Sequence, residues 1–154
     1  LTYQTKDKDG NWTSATSTAP TLTDVGKIDV KVTAEKKGYE TESAEYTIKV
    51  TKRDVTLTSA TDSKEYDGTP LTNRDVTVGG DGFVDGEGAT YNVTGTATNV
   101  STEPAKNTFE YTLNTGTNAA NYNINKVVLL WFHCHEDRLR HGDDQGQRCG
   151  KVLW

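Results

Sequence analysis

Methionine is absent from the 154 residues, proline occurs three times, and no cysteine or histidine appears before position 133. A stretch that long without cysteine holds no disulfide framework, which suits an exterior protein that needs none. Hydrophobic residues make up only 32% of the chain, so a large enzyme core is excluded and small β units with thin cores are expected. Positive charge is also scarce. Seventeen Lys and Arg stand against 22 Asp and Glu, a net charge of −5, and no basic stripe is present, which argues against a nucleic-acid partner. Long apolar runs are missing too: Val127–Phe132 is short, far from the length a membrane-spanning helix needs. The chain begins at Leu1 inside what already reads as a strand, and we expect it to be a piece of something longer.

Threonine is abundant. All 26 copies lie before Asn125, as suits pleated structure, where β-branched side chains lose little freedom. Period-2 alternation recurs through this region. Ile28, Val30, Val32 and Ala34 fall on one face of a run, and Ala44, Tyr46, Ile48 and Val50 on one face of the next. Val55 and Leu57, Val76 and Val78, Tyr91 and Val93, Phe109, Tyr111 and Leu113, and Tyr122 and Ile124 repeat the pattern. Polar Thr, Lys, Asp and Asn fill the alternate places, as half-buried antiparallel strands require. Between the runs stand turn signals such as "KDGN", "KKGY", "YDGT", "GGDGFVDGEG" and "NTGTN". The expected fold class is all-β, as tandem small antiparallel β-sandwich (Ig-like) or β-grasp-like modules. "KVTKRDVT" joins two runs without a flexible linker, which places a boundary near Lys52. The expected organisation is a truncated first unit over 1–51, a complete second unit over 52–126, and an atypical tail over 127–154.

"KEYDGTPL" (Lys64–Leu71), "GDGFVDGEGATYNVTGTATNV" (Gly80–Val100) and "FEYTLNTGTNAANYNI" (Phe109–Ile124) resemble the YDG/MBG-type repeats of bacterial cell-surface proteins. Thr21–Val50 resembles the second half of a bacterial Ig-like repeat. The resemblance covers residues 1–126. It implies a non-catalytic stalk or spacer in a large adhesin-like protein, wall-attached or secreted and Gram-positive, so extracellular at the cell wall or surface. Such repeats share no catalytic motif and need no cofactor. The implied partners are neighbouring repeats of the same chain, with glycans or host surface proteins engaged through a distal domain. The alternative is a β module that binds a glycan or host protein directly.

Several stretches carry candidate chemistry. "FHCHEDRLRH" resembles the copper-binding segment of multicopper oxidases, but Leu139 stands where a further histidine belongs. His133, Cys134, His135 and His141, with Cys149, form a soft N/S set for zinc, although adjacent His-Cys-His is poor geometry for one tetrahedral ion. For calcium, Asp7 and Asp9 (with Asn11) and then Asp81, Asp85 and Glu87 offer oxygen ligands, and the competing role for both loops is turn geometry. Asp81, Phe83 and Asp85 are the candidates for direct ligand binding. Lys52, Lys64 and Lys106 with Asn114, Asn118 and Asn123 supply the groups of a Lys–Asn isopeptide bond. Most aromatics fall on the apolar face of the alternation and read as core, with Trp12 and Phe83 the ones expected to be exposed.

From Lys126 onward Thr, Ser, Tyr, Ala, Ile, Asn and Pro all disappear. At the earlier threonine frequency, roughly one stretch in a thousand of that length would lack the residue altogether. The codons of Phe132–Glu136 with Trp131 before and Asp137 after, read one base later, permit "GFTVTK", close to the "YTIKVTK" at Tyr46–Lys52. We therefore expect a single-base insertion or deletion near Val127–Trp131, and a tail beyond Lys126 that packs poorly.

Overall fold

The computed structural model describes residues 1–99 and 104–131. The fold is all-β: ten strands and one 3₁₀ turn at Ala119–Asn121, with no α-helix among the described residues. The chain forms two compact units. The first holds Leu1–Asp54 together with Asn118–Asn123, and the second holds Val55–Thr117 and the chain from Ile124 on.

The first unit carries one antiparallel sheet of β1 (Thr2–Thr5), β2 (Gly26–Ala34) and β3 (Glu42–Val50), with β2 in the centre. Register pairs Ile28 with Ile48, Val30 with Tyr46 and Val32 with Ala44, so both alternations fall on one face. Cover over that face is incomplete. Val30 is fully buried, Ile28, Val32, Ile48 and Val50 are half-buried, and Tyr46 stays 43% exposed. The core-facing role expected of Tyr46 is thus corrected, because a single sheet leaves part of its apolar face without a second layer. The outer edge of β1 is occupied: Tyr3 and Thr16 exchange backbone bonds, and Thr13 N–H donates to Thr5 O. Asn121 fastens the returning segment of this unit, accepting from Val25 N–H at 2.9 Å and donating to Asp24 at 2.8 Å.

The second unit is built from small sheets. Strand β4 (Arg53–Ser59) lies between β5 (Val76–Gly80) and β9 (Tyr122–Val127), β6 (Ala89–Val93) pairs with β8 (Phe109–Leu113), and β7 (Ala105–Lys106) pairs with β10 (Leu130–Trp131). Its core is Val55, Leu57, Leu71, Val93, Phe109 and Trp131, all buried. Burying a side chain of this size stabilises a fold by roughly 1.5–3 kcal/mol. Tyr91 meets Phe109 edge to face with ring centroids 6.4 Å apart, as their facing strands dictate. Val78 shares the face of Leu57, its cross-strand partner, yet is 40% exposed. It lies on the edge strand of its sheet, where one flank lacks neighbours.

For residues 127–131 the expectation of poor packing beyond Lys126 does not hold, and the rest of the tail, 132–154, lies outside the described residues. Leu129 N–H donates to the Ser59 hydroxyl at 2.9 Å and its carbonyl accepts from Asn107 N–H at 2.9 Å. Trp131 is completely buried, with its indole N–H directed at Ala60 O, 3.2 Å away. An apolar run that ends in tryptophan gains enough by burial to close the unit, whatever its threonine content.

Candidate functional site

The "KDKDGN" loop puts its acid to structural use. One oxygen of Asp7 accepts from Asp9 N–H and Asn11 N–H, each at 2.9 Å, while Gly10 N–H donates to Asp7 O. This is an Asx turn, in which the carboxylate stands in for a backbone carbonyl. Asp7, Asp9 and Asn11 are all exposed.

The acidic glycine loop between β5 and β6 leaves Asp81 and Asp85 exposed, with Phe83 and Glu87 half-buried. It folds back on itself through Glu87 N–H to Val84 O. Its far end is tied to the loop after β8, where the Thr117 hydroxyl accepts from Gly88 N–H at 2.9 Å and Asn114 N–H donates to Gly88 O. Among the described residues, no group of three or more His, Cys, Asp and Glu side chains is placed to hold a metal ion. The zinc candidates His133, Cys134, His135 and His141, with Cys149, lie outside the described residues.

The "KEYDGT" motif forms a compact polar turn. Asp67 accepts from Lys64 Nζ at 2.7 Å, from Thr69 N–H at 2.9 Å and from the Thr69 hydroxyl at 2.8 Å. The Lys64 ammonium, then the two Thr69 donors, hold the Asp67 carboxyl well below the usual carboxylate range. Gly68 takes φ +79°, a conformation that side-chain-bearing residues rarely adopt, which accounts for the Asp-Gly pair. Tyr66 extends from this turn, 59% exposed.

The most highly organised polar group is one the sequence did not single out. Asn107 is fully buried, and its Nδ2 donates to Ala60 O at 2.9 Å and to Asn73 O at 3.0 Å. Two carbonyl partners fix the amide's orientation, and Oδ1 is left without a hydrogen-bond partner. Gly95 lies directly against it: a Cβ at that position would stand 2.4 Å from Asn107 Oδ1 and 2.5 Å from its Cα. Only glycine allows that approach. The group is sealed and holds no nucleophile or titratable side chain, so its work is structural. Nothing in the sequence marks Asn107 among the chain's many asparagines, because its side-chain partners lie 34 and 47 residues away.

The isopeptide candidates are engaged elsewhere. Lys64 holds Asp67, Asn114 accepts from the Thr90 hydroxyl, Asn118 caps the 3₁₀ turn at Ala120 N–H, and Asn123 donates to Asp54. Lys52 and Lys106 are exposed. Of the two aromatics expected at the surface, Trp12 is half-buried beneath Lys6 Nζ, 4.9 Å from its ring centroid, and Phe83 is half-buried as well. The most exposed aromatics are instead Tyr39 and Tyr66, at 71% and 59%. They sit at turns, one under Lys36 Nζ and one in the "KEYDGT" bend. No known protein family, curated protein or solved structure matches the chain.

Proposed function

We propose that the chain is a non-catalytic structural segment, a stalk or spacer of a large cell-surface or secreted adhesin-like protein. The observation that carries this is how the acids and buried polar groups are used. Asp7 and Asp67 close turns, and Asn107 bolts distant segments together. The link between β3 and β4 supports the same reading: two residues, Thr51 and Lys52, separate the strands, shorter than any flexible linker. The resemblance of residues 1–126 to YDG/MBG-type and bacterial Ig-like repeats supports a position at the exterior of a bacterial cell. Its net negative charge keeps such an array soluble.

The test is thermal unfolding of the chain with EDTA and with added calcium, alongside a glycan array. A spacer shows the same midpoint in all conditions and no saturable glycan signal. A signal abolished by Asp81→Ala, Phe83→Ala or Asp85→Ala would replace this reading with that of a glycan-binding module. A midpoint that rises with calcium would make the acid loops ion sites.

A further inference from the structure

The longest open edge in the described residues belongs to β3, nine residues long and exposed at every position except Ile48 and Val50. Natural sheets blunt such edges with proline, bulges, brevity, edge charges or a covering segment. On β1 the segment before Thr16 provides that cover. Strand β3 has no proline, bulge, brevity or cover: "ESAEYTIKV" holds no proline or glycine and pairs with β2 without interruption from Glu42 to Val50, and its one device is charge, which carries both signs in Glu42, Glu45 and Lys49.

The direction of its free backbone groups follows from the other side of the sheet. Lys6 N–H donates to Asp29 O, so the backbone groups of Asp29 face β1. Thr47, opposite Asp29, therefore exchanges no backbone bonds with β2, and its N–H and C=O face the open edge. Ser43, Glu45 and Lys49 share this orientation by the two-residue period.

We propose that β3 pairs antiparallel with β3 of a second copy of this chain, about a two-fold axis through Thr47. In that register the edge is self-complementary on both faces. Glu45 stands opposite the partner copy's Lys49, and Lys49 opposite its Glu45, with Thr47 against Thr47 between them. On the apolar face Tyr46 meets Ile48 and Ala44 meets Val50, each pair occurring twice. The outward-facing residues Glu45, Thr47 and Lys49 are the ones that would exchange backbone bonds, so main-chain and side-chain matching coincide. Centring the axis on Glu45 or Lys49 sets like charges against each other, and centring it on Tyr46 sets Glu42 against Val50. The charge pattern of the sheet favours the same arrangement. Lys49 lies directly opposite Lys27 within its own sheet, an unfavourable like-charge pair that a carboxylate on its other side offsets. The result is an isologous contact that joins two three-stranded sheets into one and continues their apolar face. This pairing does not depend on the spacer reading.

Sedimentation velocity of the full chain across a wide concentration series, under reducing conditions, tests it. The wild type forms dimers, whereas Glu45→Lys and Lys49→Glu each weaken association roughly tenfold or more, because both symmetry-related pairs become repulsive. An equimolar mixture of the two variants recovers wild-type association, since each like-charge pair becomes an opposite-charge pair across the heterodimer. Thr47→Pro, which removes the N–H at the axis and no backbone bond to β2, abolishes association with the strand circular dichroism unchanged, and Thr47→Val, which likewise loses the hydroxyl's bond to Asp29 but keeps the N–H, retains association. A wild type that stays monomeric throughout, dimers insensitive to the charge variants, or a mixture no better than its parents would each overturn the proposal.

Discussion

At the scale of single residues, Asn107 ties together segments that the chain keeps far apart. Its side chain donates to Ala60 and Asn73, and its own N–H donates to Leu129. Replacing it with alanine takes the side-chain donor from the part-buried Asn73 carbonyl and leaves Ala60 O with the Trp131 indole N–H alone, which costs roughly 1–3 kcal/mol. Asn107→Ala should therefore lower the urea midpoint with an unchanged m-value. Gly95→Ala should be at least as damaging, because the atoms in its way include backbone. Asp67 makes a different prediction. Its folded carboxyl is held below its ordinary range by Lys64 and Thr69, so the stability it contributes is present above the unfolded pKa of about 4 and is lost progressively as pH falls below that value toward the depressed folded one. Both partners of the ion pair are open to water, so the effect is small. Acid unfolding curves of the wild type and Asp67→Asn should be furthest apart near neutral pH and draw together progressively as pH falls below about 4, and parallel curves would remove the turn from the stability account.

At the scale of elements, the strands with clean alternation were legible because period 2 alone defines them. Ile28–Ala34, Ala44–Val50, Val55–Leu57 and Phe109–Leu113 all lie in strands. Their depth of burial was not legible in the same way. Val30 is buried and Tyr46, its cross-strand partner, is not, since cover comes from whatever layer lies above the sheet and not from the strand's own pattern. Strand β10 was missed altogether: it is two residues long, its partner Ala105–Lys106 is equally short, and an unbroken apolar run carries no period. Its importance is testable through Trp131, whose ring is wholly enclosed. Trp131→Ala should cost about 3–5 kcal/mol, and a chain ended at Lys126 should lose the cooperative unfolding of the second unit. A truncated chain with the wild-type melting profile would show that the Leu129–Trp131 contacts add nothing.

At the scale of the whole molecule, the acidic loops were legible as turns because Asp-Gly and Asx chemistry is local, and Asp7 and Asp67 cap their own neighbours. The Asn107 group was not, because it exists only once separated segments meet. The change in composition after Asn125 takes on a sharper meaning beside the packing of Leu129 and Trp131. Burial of a tryptophan and the bonds of Leu129 to Ser59 and Asn107 favour a reading frame that runs unbroken through Trp131. We therefore place the proposed frame change immediately after Trp131, before the His133–Cys134–His135 run. Independent sequencing of the source DNA should recover one base gained or lost there, and the restored frame should return to threonine-rich alternation of the kind seen at Tyr46–Lys52. If the frame is confirmed as it stands, or the shifted codons yield no alternating strand, the histidines and cysteines are part of the protein. Zinc and copper retained after dialysis would then be the next quantities to measure.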